Sequence, residues 1–579
     1  MKMPRQTVCI TLMLCLAAAL TFAIAGCQPS SSQQPSSATA SSSSIDATIT
    51  FSHESGAYRD ASLELAIKNP ANLPMVYTTD GSGPTSASER VSGPIALDAR
   101  DTNRAFIEQL AAEVPDNRTL HVDDTLPTAT VVRAAAILPD GTVGPIATNT
   151  YFIGEDIVEL FGDAMVVSLV VDPADLLDYE TGIVAKGAIY DAHREENEAL
   201  TNEMQFNVQA NYTQKGRDWE REAVTEFFDR SNELTHEASC GIRLRGHMSR
   251  VYAQKSFNVY LRGSYGMKSL DYDLFADAVT VAGGSPATSF KSFCLRSGGN
   301  DTEMLRYRDS LLQHALSGLD FAIQSMRPAI VFLNGEFYGV YSLAEKYSDA
   351  YVADHYGVDA SNVVIIEDGE IDEGQDSDLA LYDELMGFAQ RDLADEATWN
   401  AFGALVDVQS MADFYAAQIY VGNYDFEETR NCRVWRAREP EADSEYADGR
   451  WRWMLFDTEF SCGLYDLPTT KADYDTMGRY LKTCPLFASA MHNSSFRELV
   501  RARLVDLSQG AFESAHVSAL FDEWWGTWEP WIELSCKRFA TKFDMAQWDK
   551  GLAIDFFEDR ATNVLAFFDK HAAEMSAAR

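Results

Sequence analysis

At 579 residues the chain is too long for one small core, and with 46% hydrophobic and 23% charged residues it has the composition of a folded soluble protein apart from its ends. Its 87 acidic residues against 47 basic give a formal charge of -40, which repels a phosphate backbone and so excludes nucleic acid as a partner. The same charge requires any nucleotide site to be locally basic or filled with metal.

The chain opens with Lys2 and Arg5 ahead of an apolar run from about Val8 to Ala25, the charged and hydrophobic regions of an export signal. The run ends in Ile24-Ala25-Gly26-Cys27, which resembles a bacterial lipobox. A membrane-spanning helix is the competing reading. The run is short for one, however, and passes at once into QPSSSQQPSSATASSSS, which cannot pack. The expectation is a signal peptide over 1–26, lipidation of Cys27, a Ser-rich linker over 27–44, and an extracytoplasmic protein tied to the bacterial membrane by its lipid. Six further cysteines are widely spaced and include no CxxC, so a structural zinc site is not expected.

Residues 45–154 read as a small all-β sandwich. Thr48–Phe51, Pro74–Thr78 and Ala129–Ala134 have strand composition and are punctuated by Asp80-Gly81 and Asp140-Gly141 turns. MVYTTDGSGPTS and VVRAAAILPDGTVGPIATNTYFI resemble the immunoglobulin-like module at the C-terminus of chitobiases and β-hexosaminidases. The resemblance implies a spacer, and no catalytic residue is assigned there.

From about Glu155 the pattern changes. AMVVSLVV (Ala164 to Val171) is a strand buried on both faces, and strands are expected at Cys240 to Arg245 and Lys255 to Leu261. Leu305, Leu312, Leu316 and Leu319 mark a helix over Thr302 to Leu319. Pro328 ends the connection, and AIVFLNGEFYGVYSL forms a hairpin around Asn334-Gly335. After Glu345 the expectation is mainly helical, with a helix from Ser410 to Val421.

A kinase-type phosphotransferase needs an early basic residue for the phosphates, a carboxylate base after a helix, an amide shortly beyond it, and a later metal-binding aspartate. Lys255, Asp425, Asn431 and Asp457 occur in this order, and Glu459 adds a second oxygen ligand two residues on. Around them GIRLRGHMSRVYAQKSFNVYLRGSYG, FKSFCLRSGGNDTEMLRYRDSLL, FLNGEFYGVYSLAEKY, NYDFEETRNCRVWR and WRWMLFD resemble the successive motifs of the CotH kinases, over roughly Val166 to Phe539. The resemblance implies a diverged two-lobed kinase fold (N-lobe about 155–346, C-lobe about 347–579), Mg²⁺- or Mn²⁺-dependent use of ATP, and phosphorylation of serine or threonine in surface or secreted proteins. Lys255 and Asp425 match its catalytic positions, Lys255 also contacting phosphate, and Asp457 and Asn431 match its metal positions. Two departures stand out: Glu427, Glu428 and Arg430 inside the Asp425–Asn431 loop, and Glu459 in place of a frequent aspartate.

Arg243, Arg245, Arg250 and Arg296 read either as a basic cradle for the nucleotide or as surface ion pairs, and Arg245 is counted with the nucleotide-binding set. Glu345 falls at the hinge position, on the adenine side. Arg308 and Asp309 either brace their helix or form an exposed pair, and EDGEIDEGQDSD (Glu367 to Asp378) reads as a solvated acidic loop. The expected architecture is thus α+β, a β-sandwich followed by a kinase-like domain. The competing function is a catalytically silent surface adhesion protein on the same fold.

Overall fold

The computed structural model describes residues 45–114, 120–197, 208–275 and 287–577; the expected signal, linker and Cys27 lie outside them. Asp46–Arg579 forms one compact unit of mixed α+β structure.

The N-terminal part is β-rich. A five-stranded sheet runs in the order Gly56–Tyr58, Val143–Ile153, Thr130–Ile137, Met75–Thr78, Glu89–Arg90, beside two two-stranded ribbons. Period-two alternation gives this sheet two apolar faces. Val132, Ala134, Tyr151 and Ile153 pack on the ribbon residues Leu65, Ile67 and Leu97. Phe152, of opposite parity, meets Phe228 and Phe332 edge-on at 5.4 and 4.9 Å between centroids. The segment between the strands contributes helix α1 (Arg104–Ala112), capped by the Asn103 side chain.

Seven strands then close into a barrel: β1 (Met165–Val171), β2 (Arg221–Asp229), β3 (His236–Leu244), β4 (Phe257–Tyr260), β5 (Ser292–Arg296), β6 (Met326–Leu333) and β7 (Glu336–Glu345). Their order is β1-β2-β3-β4-β5-β7-β6, and β6 closes the ring by pairing in parallel with β1. Pro328 lies within β6 and not before it, paired opposite Ser342. The β6–β7 turn is the expected one, with Asn334 and Gly335 at φ of 50° and 80° as a type I′ hairpin requires. Met165, Val167, Leu169, Phe257, Val259 and Leu343 form the interior, and Phe106, Ile107 and Leu110 of α1 join the same cluster. The N-terminal β-rich part therefore supplies a piece of the barrel core. Lys186 N–H also binds the Glu113 carboxylate at 2.6 Å, just past α1.

One contact between these parts is polar. Glu226 of β2 is fully buried, accepts from the hydroxyls of Ser55 and Thr150, and has no cation partner among the described residues; Thr150 also meets Ser168 at 2.8 Å. Burial pushes its pKa up from 4.5 to about 7, against the pull of the two hydroxyls and with a small push from Glu237 across the ladder. The folded state thus keeps a proton that the unfolded chain loses first. Its contribution is complete below pH 4.5 and is lost as pH rises through 7, roughly 3 kcal/mol in all. Urea titrations of wild type and Glu226→Gln should diverge across that interval, the variant losing less stability as pH rises. Parallel curves would rule the buried proton out.

The rest is helical apart from one sheet. Helix α2 (Arg308–Ala315) is shorter than expected. After β7 come β8 (Val363–Glu367), β9 (Glu370–Glu373), helix α3 (Val408–Val421), β10 (Arg433–Ala437) and β11 (Arg452–Met454). Helices α4 (Thr476–Thr483), α5 (Pro485–Ala490), α6 (Ser514–Phe539) and α7 (Phe543–Ala577) follow. Strands β9-β8-β10-β11 form a four-stranded sheet where mainly helix was expected. Part of the acidic stretch is therefore ordered: Glu367 and Asp372 pair with Arg433, and Asp378 pairs with Arg438. The six described cysteines are buried free thiols, and no described helix is long and apolar enough to cross a membrane.

Candidate active site

The site is assembled around Arg296, the last residue of β5. Its Nη2 lies 3.1 Å from Asp309 on α2, 3.3 Å from Asp457 and 3.1 Å from Glu459. Burial works against the guanidinium charge, but Asp309, Glu459 and Asp457 together outweigh it and hold Arg296 protonated far above its usual range. Asp309 is fixed in turn, since its Oδ1 accepts from Thr458 N–H at 3.0 Å and Thr458 Oγ1 at 2.7 Å. Gly299, at φ 56°, makes room for this cluster, because a Cβ there would fall 2.0 Å from Glu459 Oε1. Arg308 and Asp309 are thus no exposed pair. Arg308 is fully buried, bonded to Asp301, Asp549 and the Cys462 carbonyl.

Asp457 and Glu459 are pushed in opposite directions. Burial raises both, but Arg296 and Arg245 keep Asp457 below the ordinary carboxylate range, while the negative Asp457 drives Glu459 well above it. Asp457 is accordingly the ionised, one-third exposed member.

The Asp425–Asn431 loop meets this cluster from the other side. Asn423 bridges them: its Nδ2 donates to the Asp457 carbonyl at 3.2 Å and its Oδ1 accepts from Asp425 N–H at 3.1 Å. Asn431, at φ 56°, donates to Asp425 Oδ2 at 3.2 Å. Arg430 Nε lies 3.2 Å from Asp425 Oδ1. Burial raises the Asp425 pKa against the pull of Arg430, and Asp457 adds to the rise. The two acidic departures in the loop have partners of their own. Glu427 pairs with Arg479 at 2.7 Å and also meets Arg430 Nη2 at 3.1 Å, and Glu428 accepts the first N–H groups of α5, from Leu486 and Phe487, at 3.0 Å each. Asp368, expected only as part of a solvated acidic loop, clamps the far end of the Asp425–Asn431 loop, donating its N–H to the Cys432 carbonyl and accepting Cys432 N–H on Oδ1 at 3.0 Å.

Of the remaining expected residues, Arg245 is brought to the site. It lies against Asn258 and Cys294, has no carboxylate at ion-pair distance among the described residues, and its charge is felt by Asp457. Lys255 is not. It lies two residues ahead of β4, which starts at Phe257 and not at Lys255 as expected; its Nζ donates to the Arg250 carbonyl and sits 4.8 Å over the Tyr212 ring, and burial pulls its pKa down to about 7. Lys255 Nζ is thus engaged within the fold, and Arg296 and Arg245 are the strand cations nearest Asp457. Glu345, at the end of β7, accepts on its carboxylate from Ser325 N–H at 2.9 Å and His355 Nε2 at 2.8 Å.

Among the described residues no three His, Cys, Asp or Glu side chains converge closely enough to hold a metal ion unaided. The oxygens of Asp457 and Asn431 nonetheless suit Mg²⁺ in kind, since that ion takes one or two protein ligands and completes its shell with phosphate and water. Three carboxylates around one guanidinium leave negative charge for a cation to meet.

A family model described as Fn3 associated matches residues 63–151. No curated protein matches the chain. The model described as CotH kinase protein matches residues 242–564, which contain Arg245, Arg296, Asp309, the Asp425–Asn431 loop and Asp457. More than half of the chain lies within that match, and the protein belongs to the CotH kinase family.

Proposed function

We propose that the protein transfers the γ-phosphoryl group of ATP to serine or threonine hydroxyls of surface or secreted proteins. It does so outside the cytoplasm, held to the membrane by lipid on Cys27. The observation that carries this reading is the ion pair of Arg296 on β5 with Asp309 on α2, joined to Asp457 beside the Asp425–Asn431 loop. Protein kinases use the same logic, in which a strand cation paired to a helix carboxylate and a metal-binding aspartate come into register with a base loop. The barrel side, about 155–346, is then the N-lobe and 347–579 the C-lobe, preceded by an immunoglobulin-like module.

In this reading Asp425 orients the acceptor hydroxyl and takes its proton on a carboxylate oxygen. Asn431 holds Asp425 in place through Oδ2. Arg245 and Arg296 oppose the phosphate charge, and Lys255 serves by pinning the Arg250 turn that follows Arg245. Asp457 and Asn431, with Glu459 behind them, would hold a divalent ion, which would supply charge neutralisation at the phosphates. The rate enhancement is then largely placement and preorganised charge.

Incubation of the purified soluble chain with labelled ATP, Mg²⁺ and surface proteins tests the reading, with label expected on serine or threonine. An adhesion protein on this fold would transfer none. The nucleotide should also raise the melting temperature only with Mg²⁺ or Mn²⁺ present, because ionised Asp457 and the phosphates repel one another bare. Equal stabilisation by ATP in excess chelator would reject the site.

A further inference from the structure

Helix α3 ends at Gly422, immediately before the loop that carries Asp425, and the last four carbonyls of a helix have no partner within it. Here each is accounted for. Gln418 O accepts from the N–H groups of Gly422 and Asn423, and Val421 O accepts from Cys462 N–H at 3.1 Å. Ile419 O and Tyr420 O accept from one guanidinium, Arg560 of α7, at 2.6 and 2.9 Å.

Arg560 is fully buried, and no described carboxylate pairs with it. Its charge sits instead against the negative end of α3. The rest of its fork reaches the segment entering α4: Nη1 donates to Ala472 O at 2.8 Å and Tyr474 O at 2.9 Å, and Nη2 to Thr476 Oγ1 at 3.1 Å. All five N–H donors of the side chain are matched by five acceptors on two elements. Both elements lead to one residue. Asn423 follows Gly422 directly, and its carbonyl accepts from Tyr480 of α4 at 2.6 Å. Asn423 in turn holds Asp425 N–H and the Asp457 carbonyl. Helix α7 also touches the hinge of this arrangement, since a Cβ on Gly422 would lie 3.1 Å from Phe556 Cζ.

We infer that Arg560 is a positioning residue for phosphoryl transfer, fixing the Asn423 pivot that aims Asp425 and Asp457 at each other; the role rests on the reading of Asp425 as the base. Nothing in α7 touches the reacting groups, so the effect is on turnover and not on nucleotide binding. A small misplacement of a base costs on the order of 10²-fold in rate.

The test uses the full chain. Arg560→Lys keeps the charge but loses the planar fork. It is expected to lower kcat by about 10²-fold while the ATP·Mg dissociation constant stays within about threefold. Val564→Ala, a cavity in the same helix face, is the control: it should lower the melting temperature and leave kcat near wild type. If kcat is unchanged in folded Arg560→Lys, or if Val564→Ala loses the same kcat at the same melting temperature, the inference fails. Should Arg560→Lys not fold, Thr476→Val, which removes one acceptor of the fork, decides: amide exchange over Asn423–Asn431 faster than in Val564→Ala supports the role, and equal exchange overturns it. A wild-type chain without transfer activity would overturn the kinase reading alone. Amide exchange over Asn423–Asn431 then tests Arg560 directly, faster exchange in Arg560→Lys than in Val564→Ala being expected and equal exchange overturning the positioning role.

Discussion

Asp425→Asn is expected to lower phosphoryl transfer by about 10²- to 10⁴-fold, the usual worth of a positioned general base. The amide keeps the size of the carboxylate, so the loop keeps its shape, and the Asp425 N–H bond to Asn423 is untouched. Affinity for ATP·Mg should stay within about twofold, because Asp425 is not among the residues assigned to the metal or the phosphates. Asp457→Asn should behave oppositely, weakening metal-dependent binding by removing the ionised ligand and one arm of the Arg296 cluster. Steady-state turnover, ATP·Mg affinity and melting temperature measured on both variants separate the roles. Full transfer activity in Asp425→Asn would remove it from the base position, and a fall in melting temperature alone would make both aspartates structural.

The second large effect concerns folding. A chain beginning at residue 155 retains all seven barrel strands yet loses α1, whose Phe106, Ile107 and Leu110 belong to the barrel's own apolar cluster. Burying each of these is worth roughly 1.5–3 kcal/mol, and together they approach the whole stability of a typical domain. The truncated chain is expected to be insoluble or to lack a cooperative thermal transition. A milder version is Ile107→Asp in the full chain, which places a charge at a fully buried position and should cost several kcal/mol. A cooperative transition near the wild-type temperature in the truncated chain would show that the N-terminal part is a detachable spacer.

This coupling was not legible in the sequence, whereas other features were. The Asn334-Gly335 hairpin and the doubly buried strand after Ala164 are local patterns, and they fold as written. The helix before Asp425 also forms, because its apolar face and its Asp407 cap lie within one window. Lys255 lies just ahead of β4, and its place beside Tyr212 and the Arg250 carbonyl depends on contacts with neighbouring loops that the strand pattern of Phe257–Tyr260 does not encode. Arg245 and Arg296 were visible only as arginines on strands. What makes Arg296 central is its meeting with Asp309 and Asp457, which no short window contains. The acidic hairpin of β8 and β9 reads as a solvated loop in sequence because its order comes from Arg433 and Arg438, far along the chain.

The parallel seam between β1 and β6 sets when this protein can become native. Ring closure joins strands separated by every other strand of the barrel except β7, so the entropy of a long loop is spent before the seam returns any contact energy. A second long-range tie, from Arg538 near the end of α6 to the carbonyls of His121 and Phe337, cannot form until most of the chain is present. A nascent chain emerging N-terminus first therefore exposes open strand edges of β1 until β6 arrives, and refolding from denaturant runs on the slow side for its size, with aggregation competing at that open edge.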